Sequence, residues 1–131
     1  MFRYLIAFLI FMHGMAHISG FIANWTTKDV GFPDRPWILP GGFRLHSPVG
    51  KAWGLLWLVG WIGLVGAALG LGFGQPWWPA LAVSGAVISL VAILPWWNSV
   101  VPGAKAGAVF DLLIILLILP PWGARIVQTL D

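Results

Sequence analysis

The chain has 131 residues, of which 60% are apolar and 8% charged, with no cysteine and a formal net charge of +3. Soluble domains carry about 25% charged residues, so these side chains cannot clothe a surface in water, and lipid is the expected solvent. Disulfides, thiolate metal sites, iron–sulfur clusters and cysteine nucleophiles are excluded. The lysines and arginines are scattered from Arg3 to Arg125, which leaves no basic stripe for nucleic acid.

A membrane-crossing helix needs about 20 mostly apolar residues, because the hydrocarbon core is about 30 Å thick. Four stretches meet this requirement: 2–22, 52–73, 78–97 and 103–119 or beyond. In lipid only helices and closed barrels satisfy their backbone polar groups, and none of the four alternates as a barrel strand does. The prediction is a single all-α domain over residues 1–131, an integral membrane bundle of four transmembrane helices. The first stretch also has the Arg3, apolar run and small residues of a signal peptide; it is read as a spanning helix. It contains His13-Gly14-Met15-Ala16-His17, whose spacing of four puts both imidazoles on one helix face.

Between the first two helices, Gly31-Phe32-Pro33, Pro36, Pro40-Gly41-Gly42 and Pro48 predict an ordered, non-helical loop. Phe32, Trp37, Ile38, Leu39 and Phe43 suit that loop to lie over the bundle as a lid, and a plain connector is the alternative. The second helix carries Gly66, Gly70 and Gly74 at intervals of four, beside Gly63 and Ala67, and the third carries Ala82 and Ala86. Small residues permit the close backbone approach that helices in lipid depend on. They serve either packing inside the bundle, which four helices require, or self-association. Trp53, Trp57 and Trp61 stack on one face of the second helix. They form a bulky ridge or, at Trp57 and Trp61, an aromatic wall of a ligand pocket.

Pro76-Trp77-Trp78 and Pro95-Trp96-Trp97 recur 19 residues apart, about 28 Å of helix. This is the expected separation of two tryptophan belts at the membrane boundaries, which Trp25 and Trp122 would extend. Lys28, Arg35, Arg44, Lys51 and Lys105 fall on one side of the predicted bundle, and Arg3 and Arg125 on the other. The positive-inside rule then places the first and third loops in the cytoplasm of a multi-pass protein, expected in a bacterial inner membrane.

Ionisable groups at membrane depth are costly and mark functional sites by default. Here they are His13, His17 and Asp111. Helical rise places His17 and Asp111 at similar depth from the same side, which predicts a His17–Asp111 contact with His13 one turn deeper. Several chemistries compete. The group could be a polar clamp between the first and fourth helices. It could be a metal site of His13, His17 and Asp111, with His46 from the loop as a fourth ligand. It could be a tetrapyrrole site using His13 or His17, or a proton-handling group. Gly14 follows His13 where a zinc protease would carry glutamate, so that hydrolytic mechanism is unsupported. Ser19, Ser84 and Ser89 are expected to bond back to their own helix backbones.

The segments HGMAHISGF, GLLWLVGWIGLVGAALGL and PWWPALAVSGAVISLVAIL resemble small four-helix bacterial membrane proteins of no assigned activity. The apolar run ending in His13-Gly14 is similar to the DoxX-like family. The resemblance implies a four-helix membrane fold and assigns no catalytic residue. The function expected is that of an accessory or binding subunit, in contact with a hydrophobic ligand, other membrane subunits or a second copy. The alternative is a metal- or tetrapyrrole-binding membrane enzyme or electron-transfer component acting through His13 and His17.

Overall fold

The structure, a computed structural model, describes residues 1–39 and 41–130; Pro40 of the first loop lies outside them. All regular structure among the described residues is helical. Helices α1 (Phe2–Ala16) and α2 (Ile18–Trp25) form one apolar rod of 24 residues with a step at His17. At the step the His17 N–H bonds the Gly14 carbonyl at 2.9 Å and the Gly20 N–H bonds the His17 carbonyl at 3.1 Å, a local 3₁₀ tightening. Helix α3 (Pro48–Gly72) starts before the predicted residue 52 because Ser47 caps it. The Ser47 hydroxyl accepts from the Gly50 N–H at 3.1 Å, and Pro48 fills the first turn, where a missing N–H costs nothing.

Helix α4 (Trp78–Ile93) runs on into a 3₁₀ turn, Leu94–Trp96. Helix α5 (Gly103–Ile118) is followed by Pro120-Pro121, which cannot continue a helical ladder, and the short α6 (Gly123–Leu130) turns away from it by 98°. Three rods, 2–25, 48–72 and 78–96, are long and apolar enough to cross a membrane, and the bent α5–α6 pair makes a fourth if it counts as one span.

Helix α3 is the hub. It packs on α4, on α1 and on α2, and α4 in turn packs on α5. Glycine permits these approaches: a Cβ on Gly85 would meet the Leu64 backbone nitrogen at 3.0 Å, and one on Gly14 would meet the Leu64 Cβ at 3.0 Å. Leu64, Ala67, Leu71, Ala82 and Ala86 are fully buried along the same seam. Gly66 faces Leu81 and Gly70 faces the Trp77 ring, so the small-residue stripe of α3 is used inside the chain. The outward faces of α1 and α5 are apolar instead, with Phe2, Leu5, Phe8, Leu112, Leu113 and Leu116 exposed. Because α1 and α5 both border this array without packing closely on one another, a gap runs between them that side chains bridge.

The loop after α2 covers one end of the bundle. Its Gly31 carbonyl accepts from the Val100 N–H at 2.8 Å, and Trp37 donates its backbone N–H to the Pro95 carbonyl at 3.1 Å. Phe43 and Leu45 are buried with Ala23 and Trp96 beneath it. This covering alters one expectation. Trp96 and Trp78 are only 1% exposed, so neither stands at a belt; the Trp96 indole N–H donates to the Pro33 carbonyl at 3.1 Å under the loop. The exposed tryptophans are Trp25 and Trp37 at the loop end and Trp77 and Trp122 at the opposite end.

A Cβ at Gly20 would overlap the Trp57 indole, which lies across α2, whereas one at Gly72 would meet nothing within 4 Å. Gly20→Ala is therefore expected to destabilise the protein by about 1–3 kcal/mol through overpacking. Gly72→Ala is expected to be close to neutral. Unfolding of both variants in the same detergent checks the difference.

Candidate functional site

Three helices meet at a chain of polar side chains. His13 on α1 donates or accepts through Nε2 to Asp111 Oδ1 on α5 at 2.7 Å. Asp111 Oδ2 is hydrogen-bonded to the Ser89 hydroxyl on α4. Ser89 Oγ lies 2.5 Å from His17 Nε2, and His17 Nδ1 lies 3.0 Å from the His13 carbonyl, which closes the circuit on α1. Asp111 and Ser89 are 0% exposed and His17 is 2% exposed. The imidazoles meet edge to face with centroids 4.8 Å apart. Phe110 lies 4.9 Å from the His13 ring and Trp57 lies 5.4 Å from the His17 ring.

The predicted direct contact between His17 and Asp111 is corrected by this geometry. His13 holds the carboxylate, and His17 reaches it through Ser89. The cause is where small residues open the opposing helices. Gly107 on α5 leaves room for His13, whose Cε1 would be 3.2 Å from a Cβ there. Gly60 on α3 leaves room for His17, whose Cδ2 would be 3.5 Å from a Cβ at that position. Ser89 does not bond back to its own helix as expected. Its signal in the sequence is the spacing Ala82, Ala86, Ser89, Ile93, which puts the serine on the buried stripe of α4.

The circuit restricts where protons can be. Its four hydrogen bonds need four hydrogens, and the bond to the His13 carbonyl requires one on His17 Nδ1. Two arrangements supply the rest without net charge. In one, Asp111 is ionised and His17 carries both ring protons; in the other, Asp111 donates to Ser89, which donates to a neutral His17. They differ by a shift of two protons along the Ser89 link. In both, His13 Nε2 carries the hydrogen that Asp111 Oδ1 accepts. A net charge in an apolar interior is costly, so these neutral arrangements are the favoured ones.

A cavity of about 270 Å³ opens from the cluster toward the covered end of the bundle, lined by His13, His17, Trp57, Phe32, Ser99 and Gly107 among others. His13 Nδ1 has no hydrogen-bond partner among the described residues. Trp57 Nε1 and Ser99 Oγ are buried without partners among the described residues, and neither atom is accessible. Phe32 descends from the loop to stand edge-on to Trp57 at 5.5 Å. A second cavity of about 300 Å³, walled by Ile6, Ile10, Phe110, Ile114 and Ile118 among others, lies on the other side of the His13–Phe110 layer in the same α1–α5 gap.

Other predicted site residues fall elsewhere. Trp61 does not line the first cavity; its indole N–H points to the Met15 Sδ at 3.3 Å, because each step of four along α3 turns the face by a further fraction of a turn. His46 is exposed, bonds the Thr26 carbonyl at 2.7 Å, and does not join the His13, His17 and Asp111 group. Ligand atoms of His13, His17 and Asp111 all lie within 4.8 Å of one another, close enough for one metal ion. As arranged, both nitrogens of His17 and Nε2 of His13 are occupied by hydrogen bonds, so a metal would have to displace protons from them.

No protein-family model, curated protein or solved structure matches the chain.

Asparagine at position 111 reproduces the hydrogen bonds of the protonated carboxyl: its oxygen accepts from His13 and its amide donates to Ser89. Asp111→Asn is expected to cost less than about 1 kcal/mol, while Asp111→Leu leaves buried His13 and Ser89 groups unpaired and is expected to cost about 2–4 kcal/mol. Chemical unfolding in detergent measures both.

Proposed function

We propose that this chain is a multi-pass integral membrane protein, a bundle of four spanning helices in a bacterial inner membrane, that acts as an accessory or binding subunit. The bundle would hold a small hydrophobic molecule beside His13 and His17. Membrane residence is supported by three or four sufficiently long apolar helices and by the exposed apolar side chains on α1 and α5. Exposed tryptophans at both ends agree with it. The loops that contain Lys28, Arg35 and Arg44 and the 97–102 turn beside Lys105 gather at one end, which supports a cytoplasmic placement of that end.

The observation that carries the binding role is the first cavity. Its wall is mostly apolar, it adjoins the His13, His17 and Asp111 group, and His13 Nδ1 on that wall lacks a partner among the described residues. Concave apolar sites with a few convergent polar groups are the usual form of a small-molecule site. The histidine–aspartate–serine circuit ties α1, α4 and α5 together and so fixes the walls.

A second reading, a metal centre of an enzyme or electron-transfer component, is favoured by the proximity of the His13, His17 and Asp111 ligand atoms. Elemental analysis of the protein purified in mild detergent separates the two. The binding role predicts substoichiometric metal and a small apolar molecule released into organic solvent, which is lost in Ala104→Leu, where the larger side chain fills the cavity. Stoichiometric zinc, iron or manganese would favour the metal centre. If neither metal nor small molecule accompanies the protein, and Ala104→Leu leaves it unchanged, the binding role is rejected.

The membrane reading has its own check. The protein is expected to stay in the pellet after alkaline carbonate extraction, and reporters inserted at residues 41 and 99 are expected to read cytoplasmic. Release by carbonate would contradict it.

A further inference from the structure

The wall of the first cavity specifies what class of molecule it takes, an inference that rests on the binding role proposed above. Among the described residues one accessible polar atom of that wall, His13 Nδ1, has no hydrogen-bond partner; Trp57 Nε1 and Ser99 Oγ also lack one, but both are fully enclosed by protein. His13 keeps its hydrogen on Nε2 for Asp111, so its Nδ1 offers a lone pair and can only accept. A ligand that answers it must donate, as a hydroxyl group does. Among the described residues no lysine, arginine, aspartate or glutamate lines the cavity, so a charged ligand would find no counter-charge. The rest of the wall is mostly apolar, with Phe32 packed edge-on to Trp57. The cavity lies between α1 and α5, and Ala16 and Gly103 of its wall are exposed.

We infer that the cavity binds a neutral, membrane-soluble phenol or alcohol, which enters between α1 and α5 and places its hydroxyl against His13 Nδ1. The hydroxyl donates to the imidazole lone pair, and the apolar body lies against Phe32, Ile93 and Ala104. The second cavity, across the His13–Phe110 layer, has an almost wholly apolar wall and no comparable group. An alkyl substituent on the bound molecule would follow the groove in that direction.

Binding of four probes to the detergent-purified protein tests this: 4-ethylphenol, its methyl ether, the hydrocarbon 4-ethyltoluene and the anion benzoate. Thermal stabilisation as a function of probe concentration gives each affinity, and the Ala104→Leu variant corrects for partition into the micelle. The expected result is that 4-ethylphenol binds about tenfold or more tightly than the hydrocarbon, because a site built around a hydroxyl leaves its own buried groups unpaired when the hydroxyl is missing. The ether, which cannot donate to His13, is expected to bind no better than the hydrocarbon, and benzoate not to bind. If the hydrocarbon binds as well as the phenol, the cavity is a ligand site but its hydroxyl selectivity is overturned. If none of the probes binds, the binding role itself fails. Should Ala104→Leu not fold, the ranking of the phenol, ether and hydrocarbon, whose partition differs little between empty and protein-loaded micelles, decides the matter alone.

Discussion

Asp111 has no access to water and sits on a helix whose outward face is apolar. Both of its oxygens must therefore be met by protein, since an unmet buried carboxyl costs more than any single apolar contact contributes. His13 meets one and Ser89 the other. Because these partners come from α1 and α4, the requirement of one side chain fixes three helices in register. Backbone packing alone would not do so. The helices that pack closely around the site are α3 with α4, α1 and α2, and α4 with α5, and the His13–Asp111 side-chain bond joins α1 to α5.

The gap between α1 and α5 gives the molecule its character. Had α5 closed against α1, as small residues allow α3 and α4 to close at Gly63 and Gly85, the histidines would be enclosed and inert. Gly107 instead admits the His13 ring against α5, and the helices part on either side of the His13–Phe110 layer. The 3₁₀ step at His17 contributes as well. It sits in the middle of an otherwise continuous rod, and local tightening of this kind marks functional positions more often than plain helix does. One polar layer thus both fastens the bundle and forms the floor of the first cavity.

Much of this was legible from residue types. Apolar runs, caps and proline positions place the helices to within a few residues, and the main miss, the start of α3 at Pro48, carries its own signal in the Ser47-Pro48 pair. The His13–His17 spacing and the lone Asp111 mark the polar layer. Which histidine holds the carboxylate was not legible, because it depends on Gly60 and Gly107 lying opposite the imidazoles, and facing residues on separate helices leave no trace in local spacing. Ser89 was hidden for a related reason: a serine on a buried helix face bonds its own backbone unless a better partner stands across from it, and only tertiary packing supplies one. The tryptophan pairs were half legible. Their spacing marks the ends of α4, but the loop laid over Trp96, and the burial of Trp78 in the core, follow from chain segments far away in sequence.

The central claim is that Asp111 binds His13 directly and His17 only through Ser89, with the His13 hydrogen on Nε2. Nitrogen-15 NMR of the histidine-labelled protein in lipid reads this without altering the site. The account predicts a His13 ring protonated at Nε2 and bare at Nδ1, a His17 ring protonated at Nδ1, and a change at His17 when Ser89 is replaced by alanine that leaves the His13 tautomer in place. A His13 ring protonated at Nδ1, or a His17 signal indifferent to Ser89, would contradict it.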